Sequence, residues 1–150
     1  MPSVLLEMQI QAPVDRVWDA VVDVERYPVS MANVRWVKIL AADTPETRHT
    51  SWSVVLKGSI LEWENHEDLD HVARVFKSTQ LRGDMEVFNG SWQLTELGPE
   101  LTAVRLEMEF EIGIPLLADM LNPVAERALR ENCRDMLLGV EREALGVTAP

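Results

Sequence analysis

Between Val4 and Gln11 the even positions Val4, Leu6, Met8 and Ile10 are apolar, whereas Glu7, Gln9 and Gln11 are polar. This period-two alternation predicts a strand with one dry and one wet face. Pro13 suits a first helical position, and Val14, Val17, Trp18, Val21 and Val22 then recur at helical spacing, opposite Asp15, Arg16, Asp19 and Asp23. A short amphipathic helix ending near Asp23 is expected. Tyr27-Pro28 interrupts it, because the residue before proline avoids helical angles, and a second short helical piece is expected through Met31-Ala32-Asn33.

From Val34 to Ile112 the pattern is a meander of six strands, with turn signals near 42–46, 57–58, 69–71, 82–84 and 97–99. Leu61, Trp63, Asn65, Glu67 and Leu69 share one face, with Ile60, Glu62, Glu64, His66 and Asp68 on the other. Val104, Leu106, Met108, Phe110 and Ile112 likewise oppose Arg105, Glu107, Glu109 and Glu111. Residues 72–81 fit neither parity cleanly, which leaves their facing undecided and a bulge admissible. After Pro115 the period turns helical. Asn122-Pro123 reads as an N-cap and first position of a main helix over 123–145 that stops at Gly146, with 116–121 a separate turn or short helix. Its apolar stripe is Val124, Ala125, Ala128, Leu129, Asn132, Met136 and Val140. An α+β fold in one domain, 1–150, follows: a curved seven-stranded antiparallel sheet wrapped round a long C-terminal helix, with two short helices after the first strand.

Composition narrows the function. The 150 residues carry a net charge of −11, which disfavours binding to phosphate backbones or anionic lipid. Twelve of the 25 acidic side chains lie in 59–112, and Glu62, Glu64, Asp68, Glu107, Glu109 and Glu111 fall on outward parity, so the surplus reads as a solvated sheet face. The lone Cys133 makes no internal disulfide, and with His49, His66 and His71 scattered it makes no zinc site. Cys133 is expected to be a small buried residue and the histidines to be at the surface. No stretch approaches the roughly 18 apolar residues of a membrane span, and the N-terminus lacks a signal-peptide pattern. A cytoplasmic protein without metal is expected.

The runs Ala12-Pro13-Val14-Asp15-Arg16-Val17-Trp18-Asp19, Asp23-Val24-Glu25-Arg26-Tyr27-Pro28 and Val37-Lys38-Ile39-Leu40, followed by Glu62-Trp63, Gly90-Ser91-Trp92, Glu109-Phe110 and Asn132, resemble the polyketide aromatase/cyclase branch of the START-like, helix-grip superfamily. The resemblance spans nearly the whole chain. It implies a deep hydrophobic cavity between sheet and long helix, which would hold a poly-β-ketone tethered to an acyl carrier protein and promote aldol closure and dehydration without a cofactor. It places Tyr27, Met31, Val34, Trp63, Phe88, Trp92, Leu106, Met108 and Asn132 as ligand-binding residues. Where it implies an inward arginine, four residues past the tryptophan, this chain has Glu67, and Asn65 stands two residues before it. Val34 replaces a tyrosine.

Glu67, Asn65 and Tyr27 are therefore the catalytic candidates. An inward Glu67 acts as general base and then acid, with Asn65 donating to an enolate oxygen; in the alternative, Glu67 sits at a wet rim near the 68–71 turn. Tyr27 either gates the cavity mouth or caps a helix. Trp18, Trp36 and Trp52 read as packing, and Trp63 and Trp92 equally as packing or ligand surface. Arg127, Arg130 and Arg134 form a ridge that either greets an acidic carrier protein or makes ordinary surface pairs with Glu126 and Glu131. Two functions remain: a cyclase-dehydratase, or a non-catalytic carrier of a polyketide, quinone or lipid, the latter favoured by the missing arginine.

Overall fold

The computed structural model describes residues 2–112 and 115–146, and of 115–122 the backbone alone. Its strands are β1 (Ser3–Ile10), β2 (Val34–Thr44), β3 (Thr47–Leu56), β4 (Ser59–Asp70), β5 (Val75–Gly83), β6 (Val87–Gly98) and β7 (Leu101–Glu111). The helices are α1 (Val14–Val22), α2 (Tyr27–Ser30) and α3 (Pro115–Leu145), with a 3₁₀ turn at Val24–Arg26. The strands form one antiparallel sheet in the order β1-β7-β6-β5-β4-β3-β2. The α+β architecture read from the sequence is thus present, and no described helix is long and apolar enough to cross a membrane.

Alternation decides which face closes on the core. On β4, Trp63, Asn65, Glu67 and Leu69 are buried while Glu62, Asp68 and Asp70 are exposed. On β7, Thr102, Val104, Leu106 and Phe110 are buried and Arg105 and Glu109 exposed. The acidic side chains therefore lie mainly on the convex face. α3 covers the concave face, packing against β1, β3 and β7 and against α1 and α2. Ala128, Leu129, Asn132, Cys133, Leu137, Val140 and Ala144 recur at helical spacing and are all buried. Each fully buried Leu, Val or Phe contributes about 1.5–3 kcal/mol.

Three local expectations need correction, and the facing of β5, left open by the sequence, is settled. The second helical piece precedes Met31: Tyr27 adopts helical angles (φ −51°, ψ −42°) despite the following proline, and Pro28 occupies the first turn of α2, where no amide donor is needed. The helix does not begin at Asn122-Pro123; α3 runs unbroken from Pro115 with Pro123 inside it. A proline removes one backbone hydrogen bond, but its φ is already helical. Val124, expected in the apolar stripe, is exposed. In β5 the parity of Phe76 prevails, and the sheet register shifts between Glu64 and Asn65, leaving Leu81 as the extra residue of a bulge. Beyond that bulge Gly83 lies opposite Trp63, so close that a β-carbon would stand 2.8 Å from the Trp63 Cα. Glycine alone allows that approach. Gly146, at φ 72°, ends α3 as expected.

Candidate functional site

Two adjacent strands build the floor of the site. β3 directs Arg48, Thr50, Trp52 and Val54 inward, β4 directs Trp63, Asn65 and Glu67, and the antiparallel register sets Arg48 opposite Glu67, Thr50 opposite Asn65 and Trp52 opposite Trp63. The two indoles stack at 5.6 Å with an interplanar angle of 10°, and Phe88 meets Trp63 edge-on at 4.9 Å. The offset and edge-on geometries match the quadrupoles of the rings.

Glu67 is fully buried. Its Oε1 accepts from Arg48 Nε at 2.7 Å, and its Oε2 accepts from Thr50 Oγ1 at 2.7 Å, from Trp52 Nε1 at 3.1 Å and from Asn65 Nδ2 at 3.5 Å. Every partner donates, so the group is an acceptor with its oxygens occupied. The wet-rim reading of Glu67 is overturned by its burial. The Arg48 guanidinium lies 5.3 Å from the centre of the Phe76 ring, and its Nη2 has no partner among the described residues.

Above this floor a cavity opens beneath α3. Trp63, Phe88, Trp92, Met108, Leu129 and Met136 give it apolar walls, and Asn65, Glu67, Ser78, Ser91 and Asn132 add polar groups. The space open to the centres of water molecules is about 40 Å³. The Oδ1 atoms of Asn65 and Asn132 are buried without a partner among the described residues, although a lost hydrogen bond at a buried acceptor costs about 1–3 kcal/mol.

Trp63, Asn65, Glu67, Phe88, Trp92, Met108 and Asn132 thus surround one cavity. Tyr27, Met31, Val34 and Leu106 are buried elsewhere in the core. The Tyr27 hydroxyl donates to the Val21 carbonyl at 2.5 Å, tying α2 to α1, and burial pushes its ionisation well above the ordinary phenol range. Met31 packs against Gly139 of α3. The sequence reading missed Arg48 and Thr50. Their signal was present: Arg48, Thr50, Trp52 and Val54 share one parity, but the polar majority of β3 masked it. An arginine does reach the site, from the strand beside the one where it was sought.

Burial raises the Cys133 thiol to about 12. Trp18 is buried as packing, with its indole donating to His71 Nδ1 at 3.1 Å, while His71 Nε2 lies 2.8 Å from the Pro45 carbonyl. His71 is at the surface yet links α1 to two turns. Glu126 pairs with Arg130 as expected, whereas Glu131 pairs with Lys57 instead of Arg127. Among the described residues no His, Cys, Asp and Glu group is placed to hold a metal ion.

The fold has well-matched counterparts. TTHA0849 from Thermus thermophilus is 26% identical, with a TM-score of 0.90, over 97% of this chain and 98% of that one. The Zhui aromatase/cyclase from Streptomyces sp. R1128 is 24% identical, with a TM-score of 0.88, over 96% and 93%. A START superfamily protein from Mycobacterium smegmatis is 19% identical, with a TM-score of 0.76, over 91% and 94%. These likenesses show the START-like helix-grip fold. No curated protein matches the sequence. Residues 10–137, which run from the end of β1 into α3 and include the whole cavity floor, match the family model described as polyketide cyclase / dehydrase and lipid transport, and the chain belongs to that family.

Proposed function

We propose that this chain binds a flat hydrophobic molecule between sheet and α3, and that the cavity rather than Glu67 as a free base carries the function. The supporting observation is the combination of an aromatic wall with two buried amide oxygens, at Asn65 and Asn132, that have no partner among the described residues. Such acceptors are stabilised only when something inside the cavity meets them. About 40 Å³ accommodates a few waters, whereas pockets for drug-sized ligands span about 300–1,000 Å³. A larger ligand therefore enters by displacing Met108 and Met136, whose unbranched side chains rearrange readily. Native mass spectrometry of the purified protein tests this: a co-purified apolar molecule, lost in Trp63→Ala, is expected, and failure to retain any aromatic ligand overturns the reading.

A second reading is the cofactor-independent cyclisation and dehydration of a polyketide-like chain, delivered free or by an acyl carrier protein. The favouring observation is that Glu67, with Arg48 behind it, faces the cavity as a fixed charge pair. In this reading the walls hold the chain in a reactive conformer, which can supply a large part of the barrier, and Arg48, Glu67 and Asn65 orient the polar end. Adding the protein to a minimal polyketide synthase decides: an altered ring pattern, lost in Asn65→Ala, supports it, and an unchanged product profile with wild-type protein overturns it.

A further inference from the structure

Asn65 lines the cavity beside Glu67. Its Nδ2 faces Glu67 Oε2 at 3.5 Å. Turning the amide over would set Oδ1 against a carboxylate oxygen, two acceptors face to face with nothing to share. Glu67 thus fixes which end of the amide points away from it. Among the described residues no neighbour then satisfies the buried Oδ1, and Asn65 is one of the residues that line the cavity. On β3 the facing residue is Thr50, whose hydroxyl proton goes to Glu67 Oε2 while its oxygen accepts from Trp52 Nε1 at 2.9 Å. On β5 the facing residue is Gln80, whose amide nitrogen donates to the Met85 carbonyl at 2.7 Å. Arg48 Nη2 is itself without a partner among the described residues, Asn65 included.

The opposite wall repeats the arrangement. Asn132, on α3, spends its nitrogen on the Met136 sulfur at 3.7 Å, and its Oδ1 has no partner among the described residues. The hydroxyls of Ser78 and Ser91 turn to donate or accept and impose no preference. Asn65 is only 3% exposed and Asn132 8%, so bulk water does not relieve them.

Taking the cavity to be the ligand site argued above, we infer that it selects a ligand that donates a hydrogen bond, a phenolic or enolic hydroxyl, over one that offers a carbonyl, and that Glu67 is the positioning residue that sets this choice by holding the Asn65 amide. A ketone brings a further acceptor to two acceptors, whereas a hydroxyl gives at least one of them a proton. On a skeleton able to exist in both forms, the cavity favours the enol or the aromatised phenol over the ketone.

Three probes are fused bicycles of similar size: 1-naphthol donates, 1-tetralone, with its second ring partly saturated, accepts, and 1-methylnaphthalene does neither. Titration calorimetry on the wild-type protein should show 1-naphthol binding about tenfold or more tighter than 1-tetralone, the scale of one satisfied buried hydrogen bond. In Asn65→Leu the ratio of naphthol to tetralone affinity should fall to within about threefold. Should the leucine variant not fold, Asn65→Val, better suited to a strand, takes its place. Equal binding of naphthol and tetralone by wild type overturns this inference alone, since the cavity then still binds aromatics. A preference that survives both variants also overturns it. Failure of all three probes, 1-methylnaphthalene included, overturns this inference and the ligand-site reading together.

Discussion

Arg48 Nε and Glu67 Oε1 meet at 2.7 Å across β3 and β4, with both side chains withdrawn from solvent. Removing one partner strands the other charge in a low-dielectric interior. Glu67→Gln or Arg48→Met should therefore lower the unfolding free energy by about 3–5 kcal/mol. The double variant Arg48→Met with Glu67→Met should recover part of that, though not all, because Thr50 and Trp52 lose an acceptor. Urea unfolding of the four proteins measures the coupling, and single variants within about 0.5 kcal/mol of wild type would show the pair to be structurally idle.

Gly90 lies between Met108 on β7 and Ser78 on β5. A β-carbon there would stand 2.6 Å from the Met108 sulfur and 2.9 Å from the Ser78 hydroxyl oxygen, two groups of the cavity wall. Gly90→Ala should push Met108 into the cavity. Because that side chain moves easily, the stability loss should stay near the lower end of overpacking, about 1 kcal/mol, while affinity for an aromatic ligand drops about tenfold. Calorimetry and thermal unfolding separate the two effects; unchanged affinity would place the ligand elsewhere.

Cys133 supplies a test at alkaline pH. Its thiol titrates at about 12 in the folded protein, burial being the main cause, against about 8.5 for an unfolded chain. The raised value means the folded state holds the proton more tightly. The corresponding stability is complete below about pH 8.5 and is lost progressively as pH rises toward 12. Cys133→Ala should flatten the decline of stability over that window, and the wild-type thiol should resist alkylation at pH 8 until the protein unfolds. Rapid native-state alkylation would contradict its burial.

The opposite sign holds at Glu143. Hydrogen bonds from Arg26 at 2.7 Å and Ser30 at 3.0 Å lower its ionisation below the ordinary carboxylate range, and they join α3 to the 3₁₀ turn and α2. The stability it adds is present above about pH 4.3, the unfolded value, and is lost as pH falls through the lower folded one. The pair is largely exposed, so the effect is small and weakens with salt. Glu143→Gln should reduce the acid-side slope of stability at low ionic strength. An identical slope in both proteins would remove Glu143 from the acid response.

Strand parity carried most of the legible information. Trp63, Asn65, Glu67 and Leu69 point inward as their alternation requires, because a one-residue slip would turn every one of them to solvent. What alternation along one strand does not contain is the identity of the residue across from it. The partner of Glu67 is Arg48, nineteen positions earlier in the chain, and it becomes legible only when β3 and β4 are folded onto their turn at Lys57-Gly58. The start of α3 was obscured for a different reason: Asn122-Pro123 is a sound helix-start signal, yet a proline is compatible with a helix already under way. Cavity size depends on how side chains fill the space beneath α3, and no spacing in the sequence reports it.

The strand order has a temporal consequence. Each neighbouring pair from β2 to β7 is joined by a short connection, so these pairings close locally and in succession. β1 pairs only with β7, setting Ser3 against Glu109 and Ile10 against Thr102. Closing so large a loop carries a heavier entropic penalty than any hairpin. The earliest of these seven strands in the sequence is therefore the last to find its place in the sheet, and pulsed hydrogen exchange should show β1 amides gaining protection after those of β3 and β4. Until then β1 is an unpaired strand awaiting an edge, and the face that α3 must cover stays open to water.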